Sequence, residues 1–229
     1  FKDARYIKVD NKPLFYIHDP LLIPNVEEFI QIWRRLAVEN GLEGIYFVGR
    51  ANNFSYWDID KNGEKQYNLH PSFNKASEYY KTILNLGFDA VNSRGMDRAS
   101  AIVGGKFSTA ISKIFYRIFK IGLLKKFDHE KIIENLYVKE DSWENVHPTI
   151  IPNWDRSPRE GTMASINYNC TPLVFEKNIK MAMDLVKEKN NEHKIIFLQA
   201  WNEWAEGNHV EPDLKYGHGY LDVLEKYFK

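Results

Sequence analysis

The segment Trp201-Asn202-Glu203-Trp204-Ala205-Glu206-Gly207 directly follows the apolar run Ile195-Ile196-Phe197-Leu198. Two carboxylates three residues apart therefore stand where a buried strand gives way to a loop, with indoles at 201 and 204 beside them. Carboxylates take up and release protons, while aromatic faces hold a pyranose ring and raise a neighbouring carboxyl pKa by excluding water. Acid–base work on a sugar asks one carboxyl to stay protonated near neutral pH, and Trp201 and Trp204 could give it apolar surroundings. The other must stay ionised, and Asn202 or Arg156 are candidate donors to it. A Glu-x-x-Glu pair alone reads as solvated loop charge. Its place after a buried strand and among indoles makes Glu203 and Glu206 the candidate catalytic residues, with Trp201, Asn202 and Trp204 as candidate substrate contacts.

The elements that must position this segment alternate between strand and helix. A short run, Tyr6-Ile7-Lys8-Val9, leads through a turn at Asp10-Asn11-Lys12-Pro13 into Leu14-Phe15-Tyr16-Ile17. A helix opens near Pro24-Asn25, with Asn25 as N-cap, Glu28 as capping-box partner and Phe29, Ile32, Trp33, Leu36 and Ala37 at helical spacing. The second strand is Gly44 to Val48, and a small hairpin with an Asn62-Gly63 turn is inserted after it. A helix over about Asn74 to Leu86 leads to a third strand, Phe88 to Asn92. A basic, aromatic helical stretch runs from Lys106 to Phe127, and the fourth strand is Thr149 to Pro152. A helix from Pro172 to Lys189, with Leu173, Ile179, Met183 and Val186 as buried positions, precedes a fifth strand, Lys194 to Ala200. A last helix starts near Gly219.

Such alternation argues for parallel strands with right-handed crossovers, and the continuous apolar runs suit strands buried on both faces. A doubly wound sheet and part of a (β/α)8 barrel both fit, and in either the ligand lies at the C-terminal strand ends. Those ends are polar and aromatic here: His18-Asp19, Arg50, Asn92, Trp154-Asp155-Arg156 and Trp201-Asn202-Glu203.

The 229 residues carry balanced charge and 14% aromatics, so nothing in the composition points to nucleic acid or an acidic polymer. A single cysteine, Cys170, leaves no intrachain disulfide and leans toward a reducing, cytoplasmic setting. No apolar stretch reaches the roughly 18 residues of a membrane span. The first residue is Phe1, and the opening lacks a signal-peptide pattern, so the sequence reads as a piece of something longer.

Asn202-Glu203-Trp204-Ala205-Glu206-Gly207 with Val210-Glu211-Pro212 resembles the active-site signature of glycoside hydrolase family 99. It resembles more closely the related WbsX-like proteins of bacterial polysaccharide gene clusters, whose pattern continues with Asp213, Tyr216-Gly217 and Tyr220-Leu221. Tyr6-Ile7-Lys8-Val9 with Lys12-Pro13-Leu14, and Pro152-Asn153-Trp154-Asp155-Arg156-Ser157-Pro158-Arg159, are similar to the same family. The resemblance implies a (β/α)8 (TIM) barrel. The chain would form one partial domain over 1–229, the C-terminal five βα units, with three units before Phe1 and an unpaired edge strand at Leu14 to Ile17. It also implies a retaining, endo-acting glycosidase on α-mannoside-like or bacterial polysaccharide substrates. Glu203 would act as base on the substrate's own 2-hydroxyl, and Glu206 as acid on the leaving oxygen and then as base on water. Ala205 stands where the hydrolases have His. The alternatives are a glycosyltransferase of O-antigen or lipopolysaccharide biosynthesis and a non-catalytic glycan-binding module.

Asp155 suits a sugar hydroxyl or an ion pair with Arg156 or Arg159, and Trp154 suits a stacking platform or a core indole. Glu211 and Tyr216 are candidate substrate contacts that, with His209, read first as residues ordering the loop, and His18 reads as a structural histidine. Asp58-x-Asp60-x-Asn62-Gly63 looks like half a calcium loop, but Leu69 stands where the closing Glu belongs, and a polar hairpin explains it without metal. Gly104-Gly105-Lys106 is no phosphate loop, since Ser100 and Phe107 occupy its defining positions, and no metal or cofactor is expected. The stretch 106–127 is free of acidic residues. It reads as an outer helix with a solvated basic face or as a peripheral contact to an anionic membrane.

Overall fold

The computed structural model describes residues 1–52, 55–59, 65–69, 76–104 and 124–229, as backbone only at 52, 55–59, 65–69 and 163. It is a mixed α/β chain dividing into two compact units. The first comprises Phe1–Arg94, Val138–Pro148 and Val186–Ile195, and the second Gly95–Tyr137, Thr149–Leu185 and Ile196–Lys229.

In the first unit β1 (Lys8–Val9) and β2 (Lys12–Ile17) form an antiparallel hairpin. Its turn residues Asp10 and Asn11 both have positive φ, 49° and 59°, which matches the twist of the flanking strands. The edge expected to be bare at Leu14 to Ile17 is therefore covered at its start, where the Leu14 N–H donates to the Ile7 carbonyl at 3.0 Å. β2 then pairs in parallel with β3 (Tyr46–Asn52), β3 with β6 (Ala90–Arg94), and β6 with the first residues of β8 (Val146–Ile150). β4 (Ser55–Ile59) and β5 (Lys65–Leu69) make the inserted antiparallel hairpin. The Asn62-Gly63 turn, and Asp58-x-Asp60 as a side-chain motif, lie outside the described residues.

Between the strands run α1 (Val26–Glu39) and α2 (Ala76–Asn85). Asn25 does not cap α1 as expected. It is left-handed (φ 51°) with no side-chain hydrogen bond to the helix, and only its carbonyl enters the ladder, accepting from Phe29 at 3.0 Å. The buried face of α1 is Val26, Ile30 and Ala37, while Ile32 and Leu36 are exposed. Phe47, Ile83, Phe88 and Val91 centre this core, with Phe29 and Trp33 packed on it. Asp89 ties sheet to helix: its carboxylate accepts from Arg34 at 2.7 Å and from the Phe47 N–H at 2.8 Å.

In the second unit a helix over 96–104, α3, precedes β7 (Lys125–Asp128), which pairs in parallel with β9 (Ser165–Tyr168). The helix expected over 106–127 is thus replaced at its C-terminal end by strand, and residues 105–123 lie outside the described residues. α4 (His129–Glu134) follows β7 with Asp128 as cap, its carboxylate accepting from Glu130 N–H. The end of β8 pairs in parallel with β10 (Phe197–Leu198), Phe197 against Thr149 and Leu198 against Ile150. The parallel strands β2, β3, β6, β8 and β10 are hydrogen-bonded in the order in which they occur in the chain.

α6 (Pro172–Val186) and α7 (Gly219–Phe228) cover this unit's core of Ile150, Phe175, Ile179, Val210 and Tyr220. Of the four α6 positions expected inside, Ile179 and Val186 are buried, but Leu173 is 75% exposed and Met183 36%. Phe175 and Ala182 take their place, because the helix turns its 175–179–182 stripe inward. Among the described residues no helix is long and apolar enough to cross a membrane.

Candidate active site

The floor of the site is the chain leaving β8. Asn153, Trp154 and Asp155 run antiparallel to β9, with Asn167 N–H donating to the Trp154 carbonyl at 2.8 Å and Asp155 bridging Ile166. A single helical turn, α5 (Ser157–Glu160), begins there. The Asp155 carboxylate accepts from Ser157 N–H at 2.8 Å, and Pro158 sits in the first turn, where its missing donor is not needed. Arg156 and Glu160 then lie one turn apart and pair at 2.6 Å, which leaves Arg159 on the same turn with a guanidinium to place elsewhere.

It goes to the signature loop. After β10, β11 (Asn202–Glu203) and β12 (Asn208–His209) form a minimal hairpin whose tip is a 3-10 turn, Trp204–Glu206. Gly207 closes that turn at φ 52°. A Cβ there would lie 2.7 Å from Asp155 Cβ and 3.0 Å from Asp155 N, so the signature needs glycine for handedness and for close approach. The Asp155 N–H donates to the Glu206 carbonyl at 2.8 Å. Two asparagines lock the hairpin to the strand end: Asn153 accepts from His209 N–H at 2.8 Å, and Asn208 donates to the Asn153 carbonyl at 2.5 Å.

This scaffold turns Glu203 and Glu206 toward one guanidinium. Arg159 donates through Nη1 to Glu206 Oε1 at 2.6 Å and through Nη2 to Glu203 Oε1 at 3.3 Å. Glu206 is the more enclosed, its side chain 15% exposed against 42% for Glu203, and Arg156 Nε lies 3.6 Å from the same Glu206 oxygen. Arg156 itself rests over the Trp154 ring, 6.0 Å from the centroid. Arg159, considered from sequence only as a partner for Asp155, is thus the residue that joins the pair. The spacing Arg156-x-x-Arg159 after Asp155 was the available signal, but it does not say which carboxylate a long side chain will reach.

The other candidates separate into contacts and supports. Trp204 is stacked on His209, ring centroids 3.7 Å apart and planes at 16°, and its Nε1–H donates to Glu211 at 2.8 Å. Its side chain stays 47% exposed, and Trp201 is 54% exposed. Asn202 does not serve the carboxylate pair. Its amide meets Glu211 at 3.5 Å, so Glu211 gathers the indole and the amide. His209 Nε2 lies 3.4 Å from Asp213, whose carboxylate also accepts from the Lys215 and Tyr216 N–H groups. Burial works against the charge on Asp213, and those two N–H groups and His209 outweigh it, holding its pKa below the usual carboxylate value. Tyr216 packs edge-on against Tyr220 at 5.8 Å.

Two residues left open between a ligand contact and a supporting role fall on the supporting side. Trp154 is a core indole, 5% exposed among Met96, Ile133, Leu136 and Ile151, and offers no face to a ligand. Asp155 spends its carboxylate on the Ser157 N–H and its backbone on Glu206 and Ile166, so it supports α5 and the hairpin. Beneath them His129 is fully buried, between the Ile151 carbonyl at 3.3 Å and Asn167 Nδ2 at 3.1 Å, and burial pushes its pKa down to about 4. Burial likewise raises the Cys170 thiol to about 11.

In the first unit the polar strand ends are engaged with one another. Arg50 contacts His18 Nε2, His18 Nδ1 lies 2.8 Å from Asp19, and Tyr16 donates to Asn92 at 3.0 Å. His18 thus touches both Arg50 and Asp19, with its side chain 62% exposed.

The architecture has a counterpart among solved structures. A glycoside hydrolase-like protein superposes on 99% of this chain with a TM-score of 0.55 at 17% identity, and the match spans 57% of that protein. The fold is therefore of a glycoside hydrolase-like kind. The chain belongs to the glycosyltransferase WbsX family, whose sequence model matches residues 1–224. It is also similar to the uncharacterized protein WxcX of two strains of Xanthomonas campestris pv. campestris, at 22% and 21% identity over 98% of the chain. The chain spans 28% of the length of those relatives.

Proposed function

We propose that the chain is the active-site part of a glycan-active enzyme, a retaining endo-glycosidase acting on α-mannoside-like or bacterial polysaccharide substrates. The observation that carries this reading is the meeting of Glu203 and Glu206 on the guanidinium of Arg159, although Arg156, expected as donor to the ionised partner, stands by Glu206, to which the acid role is given. The glycoside hydrolase-like fold agrees with it. The in-sequence order of the parallel strands supports a further reading, that the chain forms five successive βα units of a (β/α)8 barrel.

In this mechanism the Glu203 carboxylate takes the proton of the substrate 2-hydroxyl. The freed oxygen attacks C1 while protonated Glu206 delivers its proton to the leaving oxygen. A 1,2-anhydro sugar results, with net proton transfer to Glu203. Glu206, now ionised, removes a proton from water attacking C1, and the epoxide oxygen recovers its proton from Glu203. Two inversions at C1 give retention. Trp204 and Trp201, half-exposed on the signature segment, would supply ring surfaces for the sugar. Three glutamates share two arginines here: Glu160 and Glu206 contact Arg156, and Glu203 and Glu206 contact Arg159. That balance favours a neutral sugar over an anionic one next to the pair.

The test is to incubate the full-length protein with mannan-type and O-antigen glycans and compare wild type with Glu206→Gln. Loss of a general acid lowers turnover by roughly 10²–10⁴-fold, and equal cleavage by both proteins would end the mechanism. The family's description as glycosyltransferase favours a second reading, transfer in O-antigen or lipopolysaccharide assembly in the cytoplasm. It requires heat or spectral change on titration with nucleotide sugars or lipid-linked sugars, and a flat titration removes it. Peripheral membrane contact through 106–127 belongs to that reading, and most of that stretch lies outside the described residues.

A further inference from the structure

We infer that Arg159 is a positioning residue that sets the spacing and facing of the Glu203 and Glu206 carboxylates. The inference rests on reading those two glutamates as the acid–base pair. A guanidinium is a rigid planar fork whose terminal nitrogens can hold separate acceptors at a fixed distance, which a lysine ammonium cannot reproduce. Here Nη1 serves Glu206 at 2.6 Å and Nη2 serves Glu203 at 3.3 Å. Removing the fork leaves the two carboxyl groups with no shared donor to fix their separation and facing.

Arg156 cannot take over. It is committed to Glu160 at 2.6 Å and to the face of Trp154, and its Nε stands 3.6 Å from Glu206. The root of Arg159 is fixed independently of the glutamates. Its N–H donates to the Arg156 carbonyl at 3.1 Å, Asp155 caps the same turn through Ser157, and the turn ends at Gly161, φ 57°. The hairpin is fixed in its own right by Asn153, Asn208 and the Asp155–Glu206 backbone bond. Those bonds join the two segments through backbone and asparagines, and Arg159 adds a single guanidinium in contact with both carboxylates, which decides how they face each other.

The experiment compares full-length wild type, Arg159→Met, Arg159→Lys and Glu206→Gln. For Arg159→Met, a misplacement of about 1 Å predicts a kcat loss on the order of 10²-fold. KM should stay within about threefold, because the loss falls on the transition state. Free guanidinium added to Arg159→Met restores part of that loss, and Arg159→Lys stays impaired despite its charge. A merely structural role predicts no such rescue. The crystal structure of Arg159→Met is expected to show the two carboxylates moved apart. Unchanged kcat in Arg159→Met, or carboxylates that superpose on the wild-type pair, overturns the inference. If Glu206→Gln cleaves as wild type does, the acid–base reading is lost, and the crystal structure alone then decides whether Arg159 sets the pair.

Discussion

In the first unit His147 is fully buried, its Nε2 3.3 Å from the Tyr46 hydroxyl, and burial beside Lys189 and His193 pushes its pKa down to about 3. Lys189, 5% exposed, donates to the carbonyls of Asp141 and Val146, and burial pulls its pKa down to about 8. In the second unit Glu203, Glu206, Arg156 and Arg159 remain part-exposed and ion-paired at a hairpin tip. Desolvation dominates the first arrangement. Ionisable groups buried against backbone carbonyls and tyrosine serve the fold. The groups of the second unit are instead paired with one another and part-exposed.

That contrast can be broken most forcefully through the buried histidines. His147 is held neutral in the folded chain, while the unfolded chain takes up its proton below about pH 6.5. Stability is therefore lost as pH falls from 6.5 toward 3, by about 5 kcal/mol from this residue. Denaturation of wild type and His147→Gln across that range should show the slope flattened in the variant. His129 in the second unit behaves alike over pH 6.5 to 4, with about 3 kcal/mol, read with His129→Gln.

Lys189 works at the alkaline end. Its folded pKa is depressed, so its contribution is complete above about 10.5 and is lost as pH falls to about 8, again about 3 kcal/mol. Wild-type stability should rise relative to Lys189→Met over that window, and parallel curves would refute the burial account. Gly207→Ala forces a left-handed alanine against Asp155 and is expected to cost about 2 kcal/mol, seen as a lowered Tm together with lost turnover. Trp204→Phe removes the indole bond to Glu211 and should cost about 1 kcal/mol by denaturant titration. The smallest effect belongs to Lys177→Met. Its pairs with Glu130 and Glu134 are solvent-exposed, so the change stays below about 1 kcal/mol and fades in salt.

Much of the framework was legible beforehand. All five parallel strands appear near the apolar runs that announced them, β8 buried throughout and β2 and β10 only in part. The paired strands of the inserted hairpin and the last helix are present, while the Asn62-Gly63 turn lies outside the described residues. Details governed by tertiary contact were not legible. Asn25 has the type of an N-cap, yet the chain enters α1 through a left-handed residue. Leu173 has the spacing of a core residue and is exposed, because spacing fixes a stripe but not which stripe faces inward. Trp154 suited either a platform or a core, and only packing decided for the core.

The amino-acid order alone determined the strand–helix alternation, the family, and the placing of two carboxylates and their indoles beyond an apolar strand, because these follow from periodicity and local residue type. Tertiary structure decided which guanidinium meets those carboxylates, which indole keeps an open face and which stays in the core. Those outcomes depend on where two distant segments, 153–160 and 201–213, are hydrogen-bonded together, and no local pattern encodes a distance between them.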